Sequence, residues 1–401
     1  MTSEWHEVPL RELVGYISKG IAPSYAEEAS ETTIRVLNQK CNRNFRISYG
    51  DSRLHDTLKK KVPPERYVKP DDILINSTGA GTAGRIAQIE DVPSTTTIDG
   101  HMILIRSNGK VTQKFLGYAL KAHQWEVLQL DEGSTGQTEL NRDRLLDEIM
   151  INYPVSLDEQ NAIVGTLESI DRKLIVNEQL NDNLEQQAQA FFQELFVDNA
   201  DPEWAIGTIS DLGAVVGGST PSKAKPEYYT ETGIAWITPK DLSVNKSKFI
   251  SHGENDITEL GLKNSSATIM PEGTVLFSSR APIGYIAVAA GEETTNQGFK
   301  SIVPKPEIGT AFVYYFLKHN LPIIEGMASG STFKEVSGST MKGVPAVIPD
   351  TDTIARFNDF CSPIFAQQRI LEEQNQSLAA LRDDLLPKLM SGEIDVSAIQ
   401  L

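Results

Sequence analysis

Between Ile34 and Lys69 stand ten basic side chains, Arg35, Lys40, Arg43, Arg46, Arg53, Lys59, Lys60, Lys61, Arg66 and Lys69, against three carboxylates, Asp51, Asp56 and Glu65. The stretch carries +7 in a chain whose formal charge is −17, which leaves −24 elsewhere. Four amides, Asn38, Gln39, Asn42 and Asn44, are interleaved among the cations. Cations in such a loop hold phosphates, and amides can match the donor and acceptor edges of adenine. On this chemistry Lys40, Arg43, Arg46, Lys59, Lys60 and Lys61 are phosphate candidates, and Asn42 and Asn44 are candidate base readers. A solvated basic face is the plain alternative. The acidic total argues against nucleic acid at face value, but the local field, not the sum, steers an anionic ligand.

A second candidate set lies past the middle of the chain. Ser219, Thr220, Lys223 and Lys225 occupy a loop opened by Gly217-Gly218, and Arg280 follows an apolar strand-like run. An arginine in that place can grip guanine bidentately, which is worth roughly 1–3 kcal/mol of discrimination. It can equally pair with a carboxylate.

Other chemistries find no footing. Gly79-Ala-Gly-Thr-Ala-Gly84 is a literal GxGxxG, yet Arg85-Ile-Ala-Gln-Ile alternates like a strand where a dinucleotide site needs a helix, so a glycine turn between strands is expected. There is no GxxxxGK[ST] loop, no GxSxG elbow and no Asn- or Asp-Pro-Pro-aromatic tetrapeptide. The six histidines are scattered without metal-ligand spacing, and Cys41 and Cys361 give no disulfide framework. The expectation is no catalytic residue and no metal in this chain. Nothing approaches 18 consecutive apolar residues and the N-terminus has no secretory pattern, so a cytoplasmic location without a membrane is expected.

Long helices must carry these loops. Leu157 to Phe196 contains no proline and one glycine. Ile163, Leu167, Ile170, Leu174, Asn177, Asn181, Leu184, Ala188, Phe191 and Leu195 recur at steps of four and three, a spacing that lays a seam along one face for a partner helix. Such a helix is roughly 60 Å long. Adding 194 gives a second seam through Phe357, Cys361, Ile364, Gln368, Leu371, Asn375, Leu378, Arg382, Leu385 and Leu389. Pro363 within it is expected to kink or restart that helix.

The offset continues through the chain. Gly81-Thr-Ala-Gly-Arg-Ile-Ala87 matches Ala281-Pro-Ile-Gly-Tyr-Ile-Ala287 at 200, and Ile73-Leu-Ile75 matches Val275-Leu-Phe277 at 202. Thr97, Gly100 and Ile105 match Thr295, Gly298 and Val303 at 198, Ser134-Thr135 matches Ser331-Thr332 at 197, and Pro154 matches Pro349 at 195. An ordered series of this kind marks a duplicated unit. The predicted architecture is α+β: two similar mixed α/β domains, residues 1–154 and 200–350, alternating with helices over 155–199 and 351–401. Antiparallel seams would form a coiled-coil-like spacer with the domains at its opposite ends and an approximate two-fold axis, which suits a two-part site on duplex DNA. Within the first domain Thr33–Leu37, Asp72–Ile75 and Thr95–Ile105 read as strands and Lys114–Leu130 as a helix, with Gly133–Gly136 a turn.

These residues resemble a known family, the specificity (S) subunits of type I restriction-modification systems. The resemblance rests on Gly217-Gly-Ser-Thr-Pro-Ser222, Glu227-Tyr-Tyr229, Ile234-Ala-Trp-Ile-Thr238 and Thr295-Asn-Gln-Gly298, with Pro154 to Val164 opening the first helix and Leu385 to Glu393 closing the second. It covers essentially the whole chain. It implies two target-recognition domains, each reading one half of an interrupted double-stranded DNA sequence, and helices that act as spacer and dock two methyltransferase (M) subunits. By the same resemblance S-adenosylmethionine, ATP and Mg belong to partner subunits, the restriction (R) subunits among them, and this chain is not an enzyme. One departure stands out: the second helix starts Asp350-Thr-Asp-Thr, without the Glu159-Gln160 of the first, which puts equal docking faces in doubt. Two other classes compete: a duplicated adaptor binding protein rather than DNA, and a nucleotide enzyme resting on Gly79–Gly84.

Overall fold

Strands Val14–Lys19, Met102–Ser107, Ile73–Asn76 and Ile86–Gln88 lie side by side in that order, all antiparallel. The apolar runs Ile73-Leu-Ile75 and Met102 to Ile105 are wholly buried, because both faces of this sheet are covered. A second sheet orders Thr96–Ile98, Thr33–Leu37, Arg53–Asp56 and Tyr25–Ala26, with Thr96–Ile98 parallel to Thr33–Leu37. The ribbon of Trp5–Pro9 and Met150–Pro154 completes the domain. The computed structural model describes residues 4–79, 81–132, 139–330 and 334–396. The Gly133–Gly136 turn and the match of Ser134-Thr135 with Ser331-Thr332 lie outside the described residues.

The second half repeats the plan. Gly213–Gly217, Lys300–Pro304, Val275–Ser279 and Ile283–Ala289 form the first sheet, extended by Phe249–Ile250. Thr294–Thr295, Ile234–Ile237, Asp256–Ile257 and Tyr229–Thr230 form the second, again with its outermost pair parallel. Ala205–Thr208 pairs with Pro345–Ile348 as the ribbon. The same strand order in both halves is the internal repeat in three dimensions.

Strand register corrects one part of the sequence alignment. Ile73 pairs with Ile105 and Val275 with Ile302. Asp99 N donates to Leu37 O and Asn296 N to Ile237 O, while Ser77 N donates to His101 O and Ser279 N to Gly298 O. The offset through this stretch is therefore 197, and the match of Thr97, Gly100 and Ile105 with Thr295, Gly298 and Val303 is a slip of one residue. A slip of one would turn every side chain to the opposite face.

By internal contacts the chain divides into Met1–Lys173 with Leu378–Leu401, and Leu174–Ser377. Each unit takes one domain and part of both long helices, so the helices are not a body apart. The first helix spans Leu157–Gln193 and widens into a π turn at Glu194–Asp198; the second spans Thr351–Met390. In the second unit Asn177 donates to Asn375, Asn181 to Glu372, and Gln368 to Glu185, while Phe191 stacks on Phe357. One helix rises as the other falls, so the pair is antiparallel there. Ile163, Leu167, Ile170 and Leu174 are buried on the first helix, and Ile364, Leu371 and Leu385 on the second. Asn181, Leu184, Asn375 and Leu378 are half-buried. Near the end of the first helix the buried ring is Phe192, with Phe191 half-buried and Leu195 buried. An α-helix advances 3.6 residues per turn, so a strict 3.5 spacing drifts off the contact by one position.

Pro363 does not restart the second helix, which is continuous through it. Phe357, Cys361 and Ile364 are buried around it, and this packing offsets the lost backbone bond. Lys114–Leu130 is two helices, Gln113–Ala122 and Gln124–Leu128, and the two strands of Thr95–Ile105 go to different sheets. Gln160 is fully buried: its Nε2 donates to Pro154 O (2.9 Å) and its Oε1 accepts from Thr112 N (2.8 Å). It ties the first domain to the first helix. Asp350 caps the second helix through Thr353 N (2.8 Å) and accepts from Trp204 Nε1 (3.0 Å).

Candidate nucleic-acid interface

Three of the five candidates in the second half converge on one cleft. Gly218 lies so close to the Thr295-Asn296 backbone that a Cβ would sit 1.9 Å from Asn296 O, and Ser219 N donates to Thr295 O (2.8 Å). This close approach, open only to glycine, pins the loop and brings Thr220 onto Gln297, with which it hydrogen-bonds. Trp236 Nε1 donates to Ser219 O (2.9 Å) and Tyr229 Oη to Pro221 O (2.6 Å), so the loop is held from below by two aromatic residues packed edge to face. Thr220, Lys223 and Arg280 then share a concavity of about 700 Å³ with Tyr229, Trp236, Lys240, Asn296 and Gln297. Ser219 serves it through its backbone. Lys225 does not line it; it pairs with Glu227 at 3.6 Å and lies over Tyr228.

The electrostatics leave the cations exchangeable. Arg280 stands 3.7 Å from Glu335, and Lys300 stands 3.6 Å from the same carboxylate. This is the carboxylate partner that the sequence leaves open, but a long, half-exposed ion pair contributes under about 1 kcal/mol and yields readily to a phosphate or a base. Lys240 pairs with Glu254 at 2.6 Å, both well exposed. Asp241 is occupied, accepting from Thr238 N (2.7 Å), Thr238 Oγ1 (2.6 Å) and Glu254 N (2.8 Å). Burial pushes the Tyr229 hydroxyl above its ordinary range, which keeps it a donor. The cleft thus brings the guanidinium of Arg280, the two ammonium groups of Lys223 and Lys240, the amides of Asn296 and Gln297 and the Thr220 hydroxyl together on an aromatic floor.

The basic stretch of the first half is not one surface. Asn42–Arg43 and Arg46–Ile47 form a hairpin whose turn residues, Asn44 (φ 52°) and Phe45 (φ 61°), both take positive φ, as a type I′ turn requires. Lys40, Arg43 and Asn44 are exposed beside it, with Arg46 half-buried. Asn42 is fully buried and its Nδ2 donates to Arg85 O (2.8 Å), which removes it as a base reader: it ties the hairpin to the Ile86–Gln88 strand. Lys59, Lys60 and Lys61 follow strand Arg53–Asp56, whose Asp56 pairs with Thr33 at the start of Thr33–Leu37, whereas the hairpin follows its end. The three lysines are exposed, but Lys59 lies 3.8 Å from Asp56 and Lys60 Nζ donates to Ala22 O (2.8 Å). Gly79 and residues 81–84 lie between antiparallel strands Ile73–Asn76 and Ile86–Gln88, as the sequence suggests, with Gly79, Gly81 and Gly84 all at positive φ.

Sequence reasoning missed Tyr229, Trp236, Asn296 and Gln297 as cleft residues. The signal was available: all four sit in the short motifs that carry the family resemblance.

The profile of the type I restriction modification DNA specificity domain matches residues 2–186 and again 202–380. The chain belongs to that family. It is 39% identical over 191 residues to the type I restriction enzyme MjaIX specificity subunit of Methanocaldococcus jannaschii, a match covering 45% of this chain and 44% of that one. It is 28% identical over 194 residues to the HindI specificity subunit of Haemophilus influenzae, covering 48% and 42%. Each of these matches thus spans less than half of the relative. The fold is that of the type I S subunit from M. genitalium, at a TM-score of 0.60 and 17% identity, over 97% of this chain and 96% of that one.

Proposed function

We propose that this chain is the sequence-reading subunit of a type I restriction-modification complex, each domain reading one half of an interrupted duplex target. The observation that carries the reading is the duplicated fold with a cationic, amide-lined cleft built on its second copy. The long helices act as the spacer and, through their outer faces, as docking surface for two methyltransferase subunits. Val176 and Leu180 on the first helix and Phe360 and Ile370 on the second are exposed apolar residues of that kind. S-adenosylmethionine, ATP and Mg are assigned to the methyltransferase and restriction subunits, and catalysis with them.

The test is Arg280→Ala in the assembled complex. It should relax base preference in one half-site only, by roughly 1–3 kcal/mol, read as binding to duplexes varied one base pair at a time. Equal loss in both halves would assign Arg280 to folding. An adaptor that binds protein instead of DNA would show little salt dependence, whereas phosphate contacts make affinity fall steeply with salt.

A further inference from the structure

The repeat supplies a guide to the first domain that its basic residues do not. Hydrogen-bond register equates Leu37 with Ile237, Ser77 with Ser279 and His101 with Gly298. One step along the chain equates Thr78 with Arg280; two steps equate Gln39 with Pro239. Lys40 then stands where Lys240 lines the cleft of the second domain. At this place Thr78 Oγ1 lies 2.7 Å from His101 Nδ1 and 3.4 Å from Gln39 Oε1. The Gln39 main chain is fixed from beneath by Asn76 Nδ2 (3.1 Å), and His101 N by Asp99 Oδ1 (2.9 Å). His101 is exposed, and Gln39 and Thr78 are half-buried, so the cluster is open on one side.

We infer that Gln39, Thr78 and His101 are the specificity-determining set of the first domain, with Lys40 as their phosphate anchor, in place of Asn42 and the Lys59–Lys61 turn. The inference rests on the DNA-reading function proposed above. Its chemical content is a difference between the halves. The second domain presents a guanidinium, whose fork matches guanine O6 and N7. The first presents an amide with a hydroxyl and an imidazole, and a glutamine amide matches adenine N6 and N7. The half-site of the first domain should therefore hold an adenine pair where that of the second holds a guanine pair.

The experiment is sequencing of methylated positions in cells expressing the whole complex with this chain wild-type, Gln39→Ala, His101→Ala or Lys40→Ala. Gln39→Ala and His101→Ala should each lower discrimination at one base pair of one half-site by about tenfold or more, leaving the other half unchanged. Lys40→Ala should reduce methylation at the unaltered motif. An unchanged motif in both Gln39→Ala and His101→Ala, even at lower occupancy, would overturn the assignment, as would relaxation in the half that Arg280 controls. Absence of any two-part motif with the wild-type chain would refute the DNA-reading function itself, a distinct outcome.

Discussion

Replacing Glu185 by alanine should destabilise the second unit by about 3–5 kcal/mol. Glu185 projects from the first long helix into a cluster with Lys248, Lys318 and Tyr315, at 2.5, 2.6 and 2.8 Å. The Lys248 side chain is 5% exposed, boxed by Phe365, Tyr314 and Tyr315 and hydrogen-bonded to Gln368. Removing the carboxylate would strand a buried ammonium. Burial alone would raise the Glu185 carboxyl, but Lys248 and Lys318 outweigh it and hold it at about 2. A folded value below the unfolded 4.5 means stability present above pH 4.5 and lost as pH falls toward 2, on the order of 3 kcal/mol. Urea unfolding followed by tryptophan fluorescence should show that acid loss in the wild type and not in Glu185→Ala. A cost below about 1 kcal/mol would mean that the cluster behaves as a surface pair. The first unit has a counterpart: Tyr118 and Lys121, which align with Tyr315 and Lys318 at 197, meet Asp171 at 2.8 and 3.3 Å.

Glu293→Gln should do the opposite, raising stability at alkaline pH. Glu293 is wholly buried; Oε1 accepts from Ala290 N (3.2 Å), and Oε2 meets no partner among the described residues. Burial pushes its carboxyl up to about 8. A folded value above the unfolded 4.5 means stability fully present below pH 4.5, falling as pH climbs through 8 and level beyond, on the order of 5 kcal/mol in all. The variant should match the wild type near pH 5, exceed it by several kcal/mol near pH 9, and show a flat profile between. Parallel profiles would show that Glu293 ionises freely. The aligned position in the first domain is Thr96, whose hydroxyl is satisfied by Ser94 O at 2.7 Å, so the strain belongs to one copy only.

What the chain discloses before folding follows the range of the forces involved. Helix seams are local: Ile163 to Leu174 and Ile364 to Leu371 show in spacing because each turn repeats the same burial. The turn glycines Gly79, Gly81 and Gly84 are legible for the same reason. Sheet register is not local, which is why the repeat aligned one residue out around Thr97 and why the motifs that hold Trp236 and Gln297, though visible in the sequence, do not show there that the two residues meet in one cleft. Charge counting failed where the fold separates neighbours in sequence, placing Lys59–Lys61 and the Arg43 hairpin at opposite ends of one strand. Asn42 illustrates the remaining gap: amide chemistry suits a base edge and a buried backbone carbonyl equally well, and only burial decides.

The central claim is tested most directly by single-molecule sequencing of genomic DNA from cells carrying the partner subunits with and without this chain. Methylated adenines at one two-part motif should be present with the chain and vanish when it is removed. A methylome that does not change would contradict that claim and favour the protein-binding adaptor.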